Sequence, residues 1–232
     1  MKTIRLCLPF LLCGLAFGGE KAAPKKPPAL SIDAKKLEVK VDAAVCLDAG
    51  MLEYLVCIEG SMEHETTFST KCVPSQLHLA LLAIGLVPHP MKNDPGWWHA
   101  ARMKPKSRVD VDVEYERDGK TVRRPIGDFM ARRGDRKGKI PEYWVFTGSL
   151  FFKDDDGKNA YAADHSGIVI GIIPNGSSVV QYGEVAADPY QGEDQGLEVD
   201  TDETPVLGTK VKLVFSPHKG SSAARAAPPR GK

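Results

Sequence analysis

Period-two alternation dominates the hydrophobic pattern of this chain. Leu37, Val39 and Val41 alternate with Glu38 and Lys40, Ala43 to Leu47 is a short apolar run, and Met51 to Ile58 is a β-prone run after Asp48-Ala49-Gly50. His64 to Thr70 reads as a further strand. Val109, Val111, Val113 and Tyr115 then alternate with Asp110, Asp112, Glu114 and Glu116, which predicts a strand with one apolar face and one acidic, outward face. Asp118-Gly119 follows and Thr121 to Arg124 returns, a hairpin signal because a type I′ turn needs two residues that tolerate positive φ. Tyr143 to Phe152 and Gly167 to Ile173 are predicted core strands, and Val206 to Phe215 the last one.

Helical periodicity is rare. Pro74 and Ser75 open a segment in which Leu77, Leu81, Leu82, Ile84 and Leu86 form a buried stripe before Pro88. Pro125, Ile126, Phe129 and Met130 suggest a second short helix. Long crossover helices are missing, so the pattern predicts an α+β fold: a predominantly antiparallel or mixed sheet with one or two short helices packed on it. The stretch 88–108 is irregular and rich in Pro and Gly.

The two ends read differently. Lys2 and Arg5 precede an apolar run from Leu6 to Phe17, and Ala16-Phe17-Gly18 supplies small residues for cleavage. Residues 1–18 are therefore expected to be a signal peptide, since a run this short does not span a bilayer. Leu11-Leu12 precede Cys13 where a lipoprotein needs a small residue, so lipid anchoring is not expected. Residues 19–31 form a Pro/Lys-rich leader, 32–217 a single α+β domain, and 218–232 a Gly, Ser, Ala, Pro and Arg tail. The expected location is the periplasm or the exterior, with no membrane span after cleavage.

Charge narrows the partners. Removing the signal leaves 29 basic residues against 30 acidic ones, which gives no electrostatic reason to bind nucleic acid or a membrane surface. The distribution is uneven. Residues 117–139 hold nine basic residues against three acidic ones, and 184–203 hold eight acidic residues and no basic one, so the two stretches are suited to face each other. Cys46, Cys57 and Cys72 remain in the mature chain, and in an oxidising compartment three thiols allow one disulfide in three pairings, with Cys57–Cys72 the candidate bridge.

The best polar constellation runs from Cys57 through Glu63, His64 and Glu65 to Cys72 and His78. Thiolate, imidazole and carboxylate are donors that zinc or copper accepts, and the helix N-terminus near His78 favours neutral imidazole. No recognised metal spacing is present, so no metal or other cofactor is assigned. Asp154-Asp155-Asp156-Gly157 fails as an EF-hand loop because Phe152 falls at the first ligand position, and it reads as a turn between strands. Asp164-His165-Ser166 is no triad by adjacency alone, because triad side chains converge from separate elements. His89, Trp97, Trp98 and His99 form a candidate interaction loop, since rigid aromatics give contact area at low ordering cost.

Several of these residues carry a resemblance. Val45-Cys46-Leu47-Asp48-Ala49-Gly50 with Leu52 to Cys57, then Glu63-His64-Glu65 and Pro74-Ser75-Gln76-Leu77-His78, resemble the YdjY-like domain family of bacterial exported proteins. Trp144 to Ser149, Tyr161-x-Ala163-Asp164 and Gly208 to Val214 follow in the order that family shows. The resemblance implies a secreted or periplasmic protein and brings no established reaction. A ferredoxin-like label attached to some members does not transfer, because four clustered cysteines are missing here. It places Cys57, Glu63, His64, Glu65 and His78 at the family's recognisable polar positions. Cys72, His165 and the Trp97-Trp98-His99 insert depart from its pattern. The expected function is a non-enzymatic module binding a protein or small ligand; the alternative is a metal- or thiol-dependent activity centred on Cys57, His64 and His78.

Overall fold

Alternating sequence becomes a ring of strands. The computed structural model describes residues 29–90, 104–134, 140, 143–174, 176–183 and 196–219. In chain order these form β1 (Leu30–Asp33), β2 (Glu38–Val45), β3 (Met51–Leu52), β4 (Tyr54–Ile58), β5 (Thr66–Thr70), α1 (Pro74–Ala83), β6 (Arg108–Arg117) and β7 (Lys120–Pro125). There follow β8 (Met130–Arg132), β9 (Trp144–Phe146), β10 (Phe151–Lys153), β11 (Asn159–Tyr161), α2 (Ala162–Ser166), β12 (Ile168–Gly171), β13 (Val180–Gln181), β14 (Leu197–Val199) and β15 (Lys210–Pro217). The expected α+β class, a mixed sheet with two short helices, is what the chain adopts. β1 opens two residues before the expected domain start.

The main sheet runs β2-β15-β6-β9-β13-β12-β4-β5, and β5 pairs back onto β2, which closes it into a barrel. β1 continues the β2 edge and β7 the β6 edge. Among the described residues only β4/β5 and β12/β13 pair in parallel. Val39, Val41, Ala43 and Val45 of β2, Val109, Val111 and Val113 of β6, and Leu213 and Phe215 of β15 fill the interior. Leu77 and Leu81 of α1 are fully buried with them, and each contributes about 1.5–3 kcal/mol by leaving water.

The hairpin and helix signals hold. Asp118 and Gly119 take φ of 53° and 72° between β6 and β7. Helix α1 starts with Pro74 in its first turn and ends at Gly85, φ 90°, where Leu86 N–H donates to the Leu81 carbonyl at 3.1 Å. The stop is thus Gly85 rather than Pro88.

Three expectations change. The acidic face of β6 is solvated only toward Glu116: Asp110 and Asp112 are buried, 2.7 Å from His218 Nδ1 and 2.8 Å from Arg123 Nε. Tyr143 to Phe152 is not one core strand. Gly148 and Ser149 both sit in the left-handed region, at φ 80° and 54°, so β9 ends inside the barrel and β10 leaves it as an outer hairpin with β11. The second helix signal gives a 3-10 turn over Ile126–Phe129 that leads into β8, while α2 lies where the sequence pattern suggested none.

Candidate functional site

Cys57 lies on β4 with its Cα opposite Ser69 of β5. Because β4 and β5 are parallel, the seven residues 59–65 must cross back over them, and this crossover closes over the thiol. Cys57 is fully buried, with the hydroxyls of Ser61 and Thr66 at its sulfur. The third neighbour is Cys46, whose Sγ is also 3.0 Å from the Thr66 carbonyl oxygen. The Cys46 contact, opposed by burial and helped by Ser61 and Thr66, lowers the Cys57 pKa to about 7. The same contact and burial hold Cys46 well above the thiol range, so Cys46 keeps its proton as Cys57 ionises. Gly167 is required beside this crossover: its φ is 76°, and a Cβ there would stand 2.7 Å from Ile58 Cγ1 and 2.8 Å from Ser61 Oγ.

Cys72 is elsewhere. It shares the inward phase of Phe68 and Thr70, joins the core, and accepts no bridge from Cys57, which has the opposite phase on the sheet. All three cysteines are free thiols, so the expected Cys57–Cys72 disulfide is not formed, and burial pushes the Cys72 thiol up to about 11.

The two histidines do not join Cys57. Glu63, His64 and Glu65 make a 3-10 turn in which His64 is exposed and meets Glu65 Oε1 at 3.6 Å. His78 projects from α1 toward Tyr161 instead. Tyr161 donates its hydroxyl to the Gly148 carbonyl at 2.9 Å, so its oxygen accepts from His78 Nδ1–H at 2.7 Å. Phe146 stands edge-on to the imidazole at 5.1 Å, and burial lowers the His78 pKa. Gly148 allows this packing, since a Cβ would lie 2.8 Å from Pro88 Cβ and 3.1 Å from His78 Cε1. Asp164 accepts from Ser75 N–H at 2.8 Å and thereby holds α2 to the start of α1. Among the described residues no group of three or more His, Cys, Asp and Glu side chains is arranged for a metal ion.

A groove of 710 Å³ crosses the outside of β2, β15 and β6 near the end of β5. Ala43, Val211 and Tyr115 line its base, although their side chains belong to the barrel core. Its walls come from alternate outward positions, where the register aligns Asp42 with Lys212 and Lys212 with Glu114. Lys212 Nζ is 2.5 Å from Asp42, Lys71 Nζ 3.2 Å from Glu59, and Lys40 Nζ 3.0 Å from Glu114. The first two pairs are half-exposed, so opening them costs little. Behind the wall, Arg123 is fixed by Glu38 at 2.9 Å, Asp112 at 2.8 Å and Glu114 at 3.3 Å.

Sequence reasoning missed both Cys46 as the neighbour of Cys57 and this groove. The polar alternation of β2, β6 and β15 was its visible signal, but strand adjacency was not. Of the candidate interaction loop, His89 donates its backbone N–H to Phe146 at 2.8 Å, and Trp97, Trp98 and His99 lie outside the described residues. The basic and acidic stretches do meet, through Arg124 with Glu203. No described helix is long and apolar enough to cross a membrane.

No curated protein and no solved structure matches the chain. The family model of the YdjY domain matches residues 30–216, from the start of β1 to one residue before the end of β15, and the chain therefore belongs to the YdjY domain family.

Proposed function

We propose that the chain is an exported, non-enzymatic binding module whose ligand lies in the groove across β2, β15 and β6. Residues 1–18 direct export, the stretch from 19 up to β1 acts as a leader, and the folded domain works in the periplasm or outside the cell. The groove carries this reading: a cleft of 710 Å³ flanked by cations and anions in register. Its rim suits a small zwitterion or a short peptide, whose ammonium replaces Lys212 at Asp42 and whose carboxylate replaces Glu59 at Lys71. Because those two pairs are exposed, the exchange sacrifices weak interactions for ones that ligand burial strengthens.

The test is a thermal-shift and calorimetric screen of free amino acids and dipeptides, repeated on Ala44→Trp, which fills the groove, and on His78→Ala. A ligand that stabilises the native chain and His78→Ala but not Ala44→Trp supports the proposal. Ligand binding untouched by Ala44→Trp, or stoichiometric metal lost on replacing His64 or His78, refutes it.

One observation favours a second reading, thiol chemistry. Cys57 is poised to ionise near neutrality beside Cys46. The crossover over residues 59–65 covers it, so this reading needs that crossover to open. Rapid iodoacetamide capture of Cys57 in the native chain supports it, and capture only on unfolding excludes it.

A further inference from the structure

The outer hairpin presents an edge of unusual composition. All three residues of β10 are exposed, Phe151 at 71%, and Phe151 lies 5.2 Å from Tyr161 while Phe152 lies 5.6 Å from His165. Hydrogen bonds from Ala162 N–H to the Leu150 carbonyl at 2.8 Å and from Asp154 N–H to the Lys158 carbonyl at 2.9 Å fix the phase of the ladder. Positions 150, 152 and 154 face β11. The N–H and C=O groups of Phe151 and Lys153 therefore point out along an edge that has no strand partner among the described residues.

The β7 edge is defended. β7 carries Lys120, Arg123, Arg124 and Pro125, the residues that discourage strand addition. β10 carries two phenylalanines instead. We propose that β10 is a homodimer interface, in which the β10 edges of two copies pair antiparallel about a two-fold axis through Phe152.

The sequence is self-complementary in that register and no other symmetric one uses both outward residues. Phe151 of each copy exchanges two backbone hydrogen bonds with Lys153 of the other, four in all by symmetry, and the side chains face as cation and aromatic ring. Phe152 meets Phe152 as a close non-hydrogen-bonded pair, the geometry in which cross-strand aromatics contact best. Charge selects the direction. Antiparallel pairing sets the Asp154-Asp155-Asp156 turns of the two copies about 20 Å apart at a strand rise of about 3.3 Å per residue, beyond a Debye length at physiological salt. Parallel pairing would bring the same turns to one strand spacing, about 4.8 Å, and is opposed by their charge. The joined hairpins form a four-stranded sheet, which also removes the marginal isolation of a two-stranded one.

The patch is small, so the association is weak, with a Kd expected between about 1 μM and 1 mM. Sedimentation of the chain expressed from its complete sequence should show a concentration-dependent dimer that Phe151→Lys shifts to monomer by tenfold or more. Register is tested by oxidation in a glutathione buffer. Phe152→Cys should give a covalent dimer, because a non-hydrogen-bonded pair at about 4.5 Å between Cα atoms suits a disulfide. Phe151→Cys and Lys153→Cys, each alone, should not exceed the unmodified chain. A monomer at every concentration overturns the proposal, as does cross-linking of Lys153→Cys as fast as Phe152→Cys. Far-UV circular dichroism matching the unmodified chain qualifies each variant, and the cysteine variants decide the matter if Phe151→Lys fails to fold.

Discussion

Replacing Arg123 with Met should destabilise the barrel by about 2 kcal/mol. Arg123 is bonded to three carboxylates, those of Glu38, Asp112 and Glu114, and their side chains are 13%, 7% and 17% exposed. Met keeps much of the aliphatic stem, so packing loss is small and the carboxylates are left facing one another. Removing one partner of a fully buried ion pair costs about 3–5 kcal/mol, whereas an exposed pair contributes about 0–1 kcal/mol. Arg123 retains 35% exposure, so solvent screens part of the loss and the figure falls between those limits. Urea unfolding followed by circular dichroism measures it, with the slope unchanged and the midpoint lowered. Asp112→Asn in the same background should recover part of the loss, because it removes one of the orphaned charges. Lys212→Met, at a pair 54% and 52% exposed, should cost less than about 1 kcal/mol. A loss below about 0.5 kcal/mol for Arg123→Met, or equal losses for Arg123→Met and Lys212→Met, would refute the reasoning.

Other predictions follow from single residues. Tyr115 buries a hydroxyl for which no partner is found among the described residues, so Tyr115→Phe should be neutral or stabilising by up to about 1 kcal/mol in the same urea assay. Tyr161→Phe removes the bond to Gly148 and the acceptor of His78, and should cost about 1–2 kcal/mol. His78 should titrate below the ordinary histidine value of 6.5 when its ring is followed by NMR, and an ordinary or raised value contradicts its burial. The Cys57 pKa is lowered from 9.0 to about 7 on folding, so stability should rise from pH 7 to 9, by on the order of 1 kcal/mol. That contribution is present above pH 9 and lost as pH falls through 7, and Cys57→Ala should flatten it. Above pH 9 the trend should reverse, because Cys46 and Cys72 are held protonated in the fold.

Local chemistry was readable where it acts over a few residues. Asp118-Gly119 declared its hairpin because those two residues tolerate positive φ, and Pro74 with the leucine stripe declared α1. The alternation of β2 and β6 declared which side chains enter the core. Barrel closure was not readable, because β2 meets β5 by a pairing that no local pattern specifies. For the same reason the acidic side of β6 looked solvated, although Arg123 and His218 arrive from elsewhere to hydrogen-bond its aspartates. The run from Tyr143 to Phe152 hid its break, since Ser149 tolerates a left-handed backbone without advertising it.

The candidate site divides the same way. Residue types alone nominated Cys57, Glu63, His64, Glu65 and His78, but folding gives them separate surroundings: a covered thiol pair, an exposed turn and an imidazole fixed by Tyr161. Cys57 and Cys72 are near in sequence yet occupy opposite phases of the sheet, while Cys46 reaches Cys57 across β5. The groove is assembled from alternate positions of β2, β6 and β15, each ordinary in isolation. Its charge order exists only in the register of Asp42, Lys212 and Glu114.

The binding claim is tested most directly by a 15N-resolved NMR titration with glycylglycine, a zwitterion that carries both an ammonium for Asp42 and a carboxylate for Lys71. The account predicts saturable shifts at Ala44, Lys71, Lys210 and Lys212 that vanish in Ala44→Trp. Shifts centred instead on Cys57 and Ser61, or on His78 and Tyr161, or none at millimolar ligand across the dipeptide panel, would contradict it.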